Sequence, residues 1–150
     1  MLEEAVRMLE ELGEFWGMSV ANFALGTTLW KLGETDKAKH HSLQAVKAAQ
    51  EIHFRAGQHH AYHTIANIAF ANQQFDEAAH YYRLCLKISH EVGLNRDTLE
   101  TVYEFARLLA VQGRRAEAVE LLTLVLHHPF DSDVLEQQIV ESSCDTLVAP

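Results

Sequence analysis

Apolar residues recur along this chain at helical steps, in segments of similar length. Val20, Phe23, Ala24, Leu25, Leu29 and Trp30 fall three and four residues apart, the spacing of one helix face. The pattern breaks over residues 31–36 (Lys-Leu-Gly-Glu-Thr-Asp), where Gly33 can take the left-handed conformation that ends a helix. It resumes with Ala38, Leu43, Ala45, Val46 and Ala49, and the same plan returns around breaks at 72–75 and 112–115. The spacing predicts helices near 2–12, 18–32, 35–53, 58–72, 75–92, 98–112 and 115–128. A last helix is expected over 133–143, where Asp133 and Glu136 have capping-box spacing, and Pro129 stops the helix before it. Further turns are expected near Gly57 and at 93–97, with Asp97 or Thr98 as N-cap, and Trp16 is expected in a turn. The fold class that follows is all-α.

A shift of forty residues superimposes the chain on itself. Ala38, Ala78 and Ala118 share one register, as do Leu25, Ile65 and Phe105, and Gly26, Ala66 and Ala106. Leu29, Ala69 and Leu109 agree in the same way, and so do Ser42, Tyr82 and Leu122, then Ala45, Cys85 and Val125, then Val46, Leu86 and Leu126. Gly33 and Gly113 match, with Gln73 between them. Small residues at fixed register let two helices approach closely, while the large ones fill the space beside them. A helix pair built this way cannot bury both faces alone, so neighbouring pairs must stack. The expected architecture is a right-handed α-α superhelix of about three hairpins with a concave inner surface. Its divisions are a half-repeat at 1–13, repeats at about 17–56, 57–96 and 97–129, and a C-terminal cap or tail at 130–150, all within one domain.

This register resembles the tetratricopeptide repeat over roughly residues 5–128: Leu25-Gly26…Leu29 with Ala38, Ser42 and Ala45, then Ile65-Ala66…Ala69 with Ala78, Tyr82 and Cys85, then Phe105-Ala106…Leu109 with Ala118, Leu122 and Val125. The period is six residues longer than the family's usual 34 and lacks the proline that often closes a repeat. The longer period, with Glu-Leu-Gly at 11–13 and Glu-Val-Gly at 91–93, resembles a bacterial variety found in long signalling and transcription-regulatory proteins, and the Leu126-His-His-Pro129 ending resembles how such arrays close. The resemblance implies a protein–protein interaction module. It also implies that the first helix of each hairpin lines the concave groove. The groove candidates by register are Phe23, Thr27 and Trp30 from the first copy, His60, His63, Asn67 and Phe70 from the second, and Glu100, Tyr103, Glu104 and Arg107 from the third. Asn67 falls where family members often hold a ligand's backbone or carboxylate. The repeated Asn and Lys of the family's C-terminal carboxylate clamp are absent from this register.

Charge narrows the partner. Twelve Lys and Arg against twenty-one Asp and Glu give a net charge of −9 over 150 residues, which repels phosphate backbones and anionic lipid. Neither nucleic acid nor a membrane is therefore an expected partner. No apolar run approaches the roughly 20 residues of a membrane span, and the first residues lack the basic start and apolar stretch of a signal peptide. Cys85 and Cys144 have no metal-like or redox-like spacing, so a cytoplasmic setting is expected.

Chemistry beyond binding has few candidates. Ten histidines are present, and His59 and His63, four apart on one helix, form a weak candidate metal pair with no HExxH glutamate and no Cys ligand at fitting distance, so that a third ligand would have to come from His60 or a neighbouring helix. A stand-alone ligand or metal sensor using the groove histidines is the alternative to an interaction module. No cofactor is expected. No Gly-rich phosphate loop and no paired carboxylates appear, and Ser142-Ser143-Cys144-Asp145 lacks a base, so no catalytic residue is assigned and no enzyme is expected. The expected partner is a protein or peptide, another domain of the same protein included. Residues 5–13 align with 45–53 and 85–93, which places the first helix as the second half of a repeat and suggests a fragment of a larger protein. Its apolar stripe (Leu2, Ala5, Val6, Leu9, Leu12) is then expected to lack a cover and, in isolation, to drive self-association into a homo-oligomer.

Overall fold

The computed structural model describes residues 1–93 and 96–126. Seven helices follow in order: α1 (Leu2–Leu12), α2 (Phe15–Lys31), α3 (Thr35–Glu51), α4 (Arg55–Ala71), α5 (Phe75–Val92), α6 (Arg96–Val111) and α7 (Arg115–Leu126). No strand occurs among the described residues. The expected cap helix over 133–143, with Leu135, Ile139 and Val140, lies outside them, as do His127, His128 and Pro129. Contacts divide the chain into two compact units, Met1–Ile88 and Ser89–Pro150.

Helix boundaries follow from one turn geometry used at a fixed spacing. Gly33, Gln73 and Gly113 all have positive φ, at 81, 60 and 80°. In each, the residue's own N–H returns to the carbonyl three residues back, at 3.0–3.1 Å, and the next N–H returns five residues back, at 2.8–2.9 Å. This closes the carbonyls left open at a helix end. A second series holds at Gly13 and His53, with φ of 65 and 52°, and Phe54 N–H reaches the Ala49 carbonyl at 2.8 Å. Gln73 and His53 hold the left-handed conformation with a side chain, at a cost of about 1 kcal/mol each relative to glycine. Register imposes it.

Three expectations at helix starts are corrected. Gly57 is not in a turn but buried in the first turn of α4. A Cβ there would sit 2.4 Å from the Phe54 ring, which lies over the glycine. Trp16 stands in the first turn of α2, because Glu14 caps that helix early by accepting from Gly17 N–H at 3.0 Å. Asp97 and Thr98 are inside α6 rather than capping it: the Asp97 carbonyl accepts from the Thr101 hydroxyl, and Thr98 donates to Ser89 Oγ at 3.0 Å.

In the first unit, α2 and α3 pair through small residues. A Cβ on Gly26 would lie 2.6 Å from Ser42 Oγ and 3.1 Å from the Ala38 carbonyl oxygen. Ala38, Ala45, Ala49, Ala61, Ala66 and Ala78 are all fully buried. Leu25, Leu29 and Ala38 meet Ile68 of α4, with Trp30 against the cluster. Ala45, Val46, Ala61 and Ile65 form the adjoining core, flanked by Phe23, Leu43, Tyr62 and Tyr81. Lys39 of α3 and Glu77 of α5 form an ion pair at 2.5 Å, both partly buried. The α1 stripe has part of its cover within the chain, contrary to expectation: Val6 is buried, and Leu9 packs at the place a Gly17 side chain would need. In the second unit, α6 and α7 pair over Ala106 and Ala118, both fully buried.

Gly26→Ala tests the close approach. On an open helix it would add up to about 1 kcal/mol of stability. Here the backbone atoms of Ala38 and Ser42 must yield, and a net loss of about 1–3 kcal/mol is expected in urea unfolding. A stabilised variant would show that α2 and α3 have room to spare.

Candidate functional site

The first-unit candidates lie on α2 and α4. Phe23 and His60 meet with ring centroids 5.7 Å apart. Beside them is a cleft of about 110 Å³ lined by Ser19, Val20, Phe23, Phe54, Gly57 and His60. Its lining is almost wholly apolar, and its floor exists because position 57 carries no side chain. Phe54 and Gly57 are the members that sequence reasoning missed. The signal was there in the forty-residue register, which places Phe54 opposite Glu14 and Gly57 opposite Gly17.

The remaining candidates are tied into the scaffold to different degrees. Thr27 donates its hydroxyl to the Phe23 carbonyl at 2.9 Å, so its oxygen serves its own helix. Trp30 packs against the Leu25–Leu29–Ala38–Ile68 cluster and is only half-exposed. Asn67 accepts at Oδ1 from the buried Tyr82 hydroxyl at 2.6 Å, which fixes the amide and presents its Nδ2 hydrogens as the donors it can offer. His63 lies 6.2 Å from the Tyr82 ring, and Phe70 lies 5.9 Å from Phe75. His59 is buried, stacked on His63 at 6.4 Å, and its carbonyl accepts from Cys85 Sγ at 3.4 Å. Among the described residues, no group of three or more His, Cys, Asp or Glu is gathered as a metal ion requires.

The second unit holds the other four. Arg107 pairs with Glu104 at 2.9 Å and lies over the Tyr103 ring at 5.9 Å; Tyr103 itself is buried. Glu100 faces Arg96 at 3.6 Å. Burial pushes the Glu104 carboxyl above its usual pKa, and the Arg107 guanidinium pulls it back with a smaller effect, while Glu100 adds to the rise. Burial pushes the Cys85 thiol up to about 12, so it stays protonated at neutral pH.

Comparison with known proteins adds the family. A family model described as tetratricopeptide repeat matches residues 20–52 and 59–90. The crystal structure of the TPR domain of Arabidopsis FLU superimposes with a TM-score of 0.70 at 17% identity, over 75% of this chain and 94% of that one. That likeness gives the fold class, an all-α superhelix of tetratricopeptide type. No curated protein matches the chain. No helix among the described residues is long and apolar enough to cross a membrane.

The Glu104 geometry yields a pH dependence of known sign. A carboxyl whose pKa is raised by folding binds its proton more tightly folded than unfolded. Its contribution is therefore present below the unfolded value of about 4.3 and is lost as pH rises through the folded value. Removing the opposing charge in Arg107→Gln is expected to move the Glu104 carboxyl further up in an NMR titration and to widen that window. A downward shift would mean that burial does not dominate.

Proposed function

We propose that this chain, whose residues 20–52 and 59–90 match the tetratricopeptide-repeat model, grips a peptide segment of a protein partner on the face that α2 and α4 share. The observation that carries this is the cleft of about 110 Å³ between Phe23, Phe54 and His60. It is well below the roughly 300–1,000 Å³ of sites that enclose small molecules, and it suits one apolar side chain. Around it stand groups that can hold a peptide by its polar atoms, the His60 ring and the Asn67 amide, on helices already fixed by packing. Such a surface needs little ordering on binding, which favours affinity for a segment that must itself become ordered. The second unit, taken by itself, offers Glu100, Glu104 and Arg107 as candidate polar contacts.

The forty-residue period supports placing this module in a bacterial signalling or transcription-regulatory protein, and the net charge of −9 supports a protein rather than a nucleic-acid or lipid partner. A metal-sensing role through His59 and His63 would need a third ligand from outside the described residues, so peptide binding is the better supported reading. No catalytic group is assigned, because the one described thiol is buried and protonated at neutral pH.

Display of a random peptide library against the protein is expected to enrich sequences with a recurring apolar anchor. Val20→Glu, at an exposed wall of the cleft, and His60→Ala should each weaken an enriched peptide about tenfold or more, the loss typical of a central contact, with thermal melting little changed. Enriched peptides indifferent to both substitutions would overturn the assignment.

A further inference from the structure

The wall of the cleft holds one polar group whose hydrogen bonding the fold leaves open. α2 carries the hydroxyl side chains Ser19, Thr27 and Thr28. Thr27 and Thr28 turn theirs onto their own helix, donating to the Phe23 and Ala24 carbonyls at 2.9 and 2.8 Å. Ser19 departs from that habit. It is 2% exposed, it lines the cleft, and its Oγ lies 3.1 Å from where a Gly57 side chain would begin. Among the described residues its hydroxyl has no hydrogen-bond partner. The rest of the lining is aliphatic or aromatic: Val20, the Phe23 and Phe54 rings, and the His60 ring, whose centroid is 5.7 Å from that of Phe23. Both walls belong to helices described from end to end, α2 and α4, which touch each other and share α3 as a neighbour.

We propose that the cleft selects methionine as the anchor residue of the partner segment, with the thioether among the three rings and its sulfur accepting from the Ser19 hydroxyl. This goes further than the peptide-binding reading of the cleft and rests on it. Size sets the first limit. A cavity of about 150 Å³ holds benzene, whereas this cleft measures about 110 Å³, so an aliphatic side chain fits where a phenyl ring does not. The hydroxyl sets the second. Leucine or isoleucine would fill the cleft and cut Ser19 Oγ off from solvent without a partner, a cost borne by any buried polar group left unpaired. Asparagine and glutamine bring more donors and acceptors than one hydroxyl can satisfy against apolar walls. Threonine could bond the hydroxyl, but it leaves much of the volume empty and forfeits those contacts. Methionine joins the required length to a weak acceptor, and its sulfur packs favourably on aromatic rings, which form most of this lining. Its unbranched chain also bends to follow a wall made by two helices.

The probe is a displayed library of random peptides selected on the intact protein. Binders that Val20→Glu weakens are expected to share methionine at their recurring anchor. The tightest of them is then synthesised with norleucine at the anchor, which keeps the length and removes the sulfur. Norleucine should bind about three- to tenfold more weakly, and phenylalanine at the same place about tenfold or more. Ser19→Ala in the protein should weaken the methionine peptide and leave the norleucine peptide as tight or tighter, so that the gap between them narrows. Circular dichroism and thermal melting should report an intact fold. Binders sensitive to Val20→Glu whose anchor is leucine, isoleucine or an aromatic residue would overturn the proposal while leaving the cleft a peptide site. So would norleucine binding as tightly as methionine, or a gap that Ser19→Ala leaves unchanged. Absence of any binder sensitive to Val20→Glu would overturn both readings. A dimer in sedimentation that Val20→Glu dissociates would also overturn the proposal, because the exposed Met1 or Met8 of a second copy would then be the occupant.

Discussion

The close approach of paired helices at positions that cannot carry a larger side chain governs everything else in this molecule. Where α2 meets α3, the backbone atoms of Ala38 and Ser42 lie within 3.1–3.2 Å of where a Gly26 side chain would begin. At that separation the apolar residues on either side, Leu25 and Leu29 among them, are pressed into contact with the next helix. Dispersion and burial then act over many short contacts at once, which is what a stack of hairpins needs in place of a central core. The small residues themselves contribute little buried area. Their role is to set the distance at which the large ones work.

A consequence is that several polar groups enter the interior in partnered form. Asn22 accepts at Oδ1 from His41 Nδ1 at 2.9 Å across the first hairpin, and donates its Nδ2 to the Met18 carbonyl at 3.0 Å. One register later the same two positions are Tyr62 and Tyr81, whose rings lie 5.8 Å apart. A hydrogen bond and an aromatic contact therefore serve the same joint between helices, because the backbone spacing leaves room for either. This interchange accounts for the low similarity between copies away from the small positions. It also accounts for the half-buried histidines: burial, with His40 nearby, lowers the His41 pKa, while Glu3 and Glu10 of α1 act in the opposite sense.

Function in such a scaffold resides where the packing rule leaves a surface unfilled. The cleft beside Phe23 exists because Gly57 lets the Phe54 ring lie over it. The chemistry it offers is shape and apolar area, which are means of recognition.

Periodicity alone determined the helices, their order and their pairing, since the three- and four-residue steps and the forty-residue recurrence report burial that every copy must satisfy. Ala38, Ala78 and Ala118 were legible as contact points for that reason, and all three are fully buried. Gly33 and Gly113 marked the turns because glycine reaches positive φ freely; Gln73 needed the tertiary register to be recognised as their equal. Folding in three dimensions alone decided the rest. A glycine signals a turn or a close contact equally in one dimension, so only the packed structure placed Gly57 under a phenyl ring instead of in a loop. The groove candidates were legible as a face, because a face is a matter of helical angle. Which of them remain available to a partner depended on neighbours distant in sequence: Tyr82 takes one side of Asn67, Arg107 takes Glu104, and the buried environment takes Tyr103. Hydrogen bonds and burial of that kind depend on where separate helices come to rest against one another, and no local pattern along the chain encodes that.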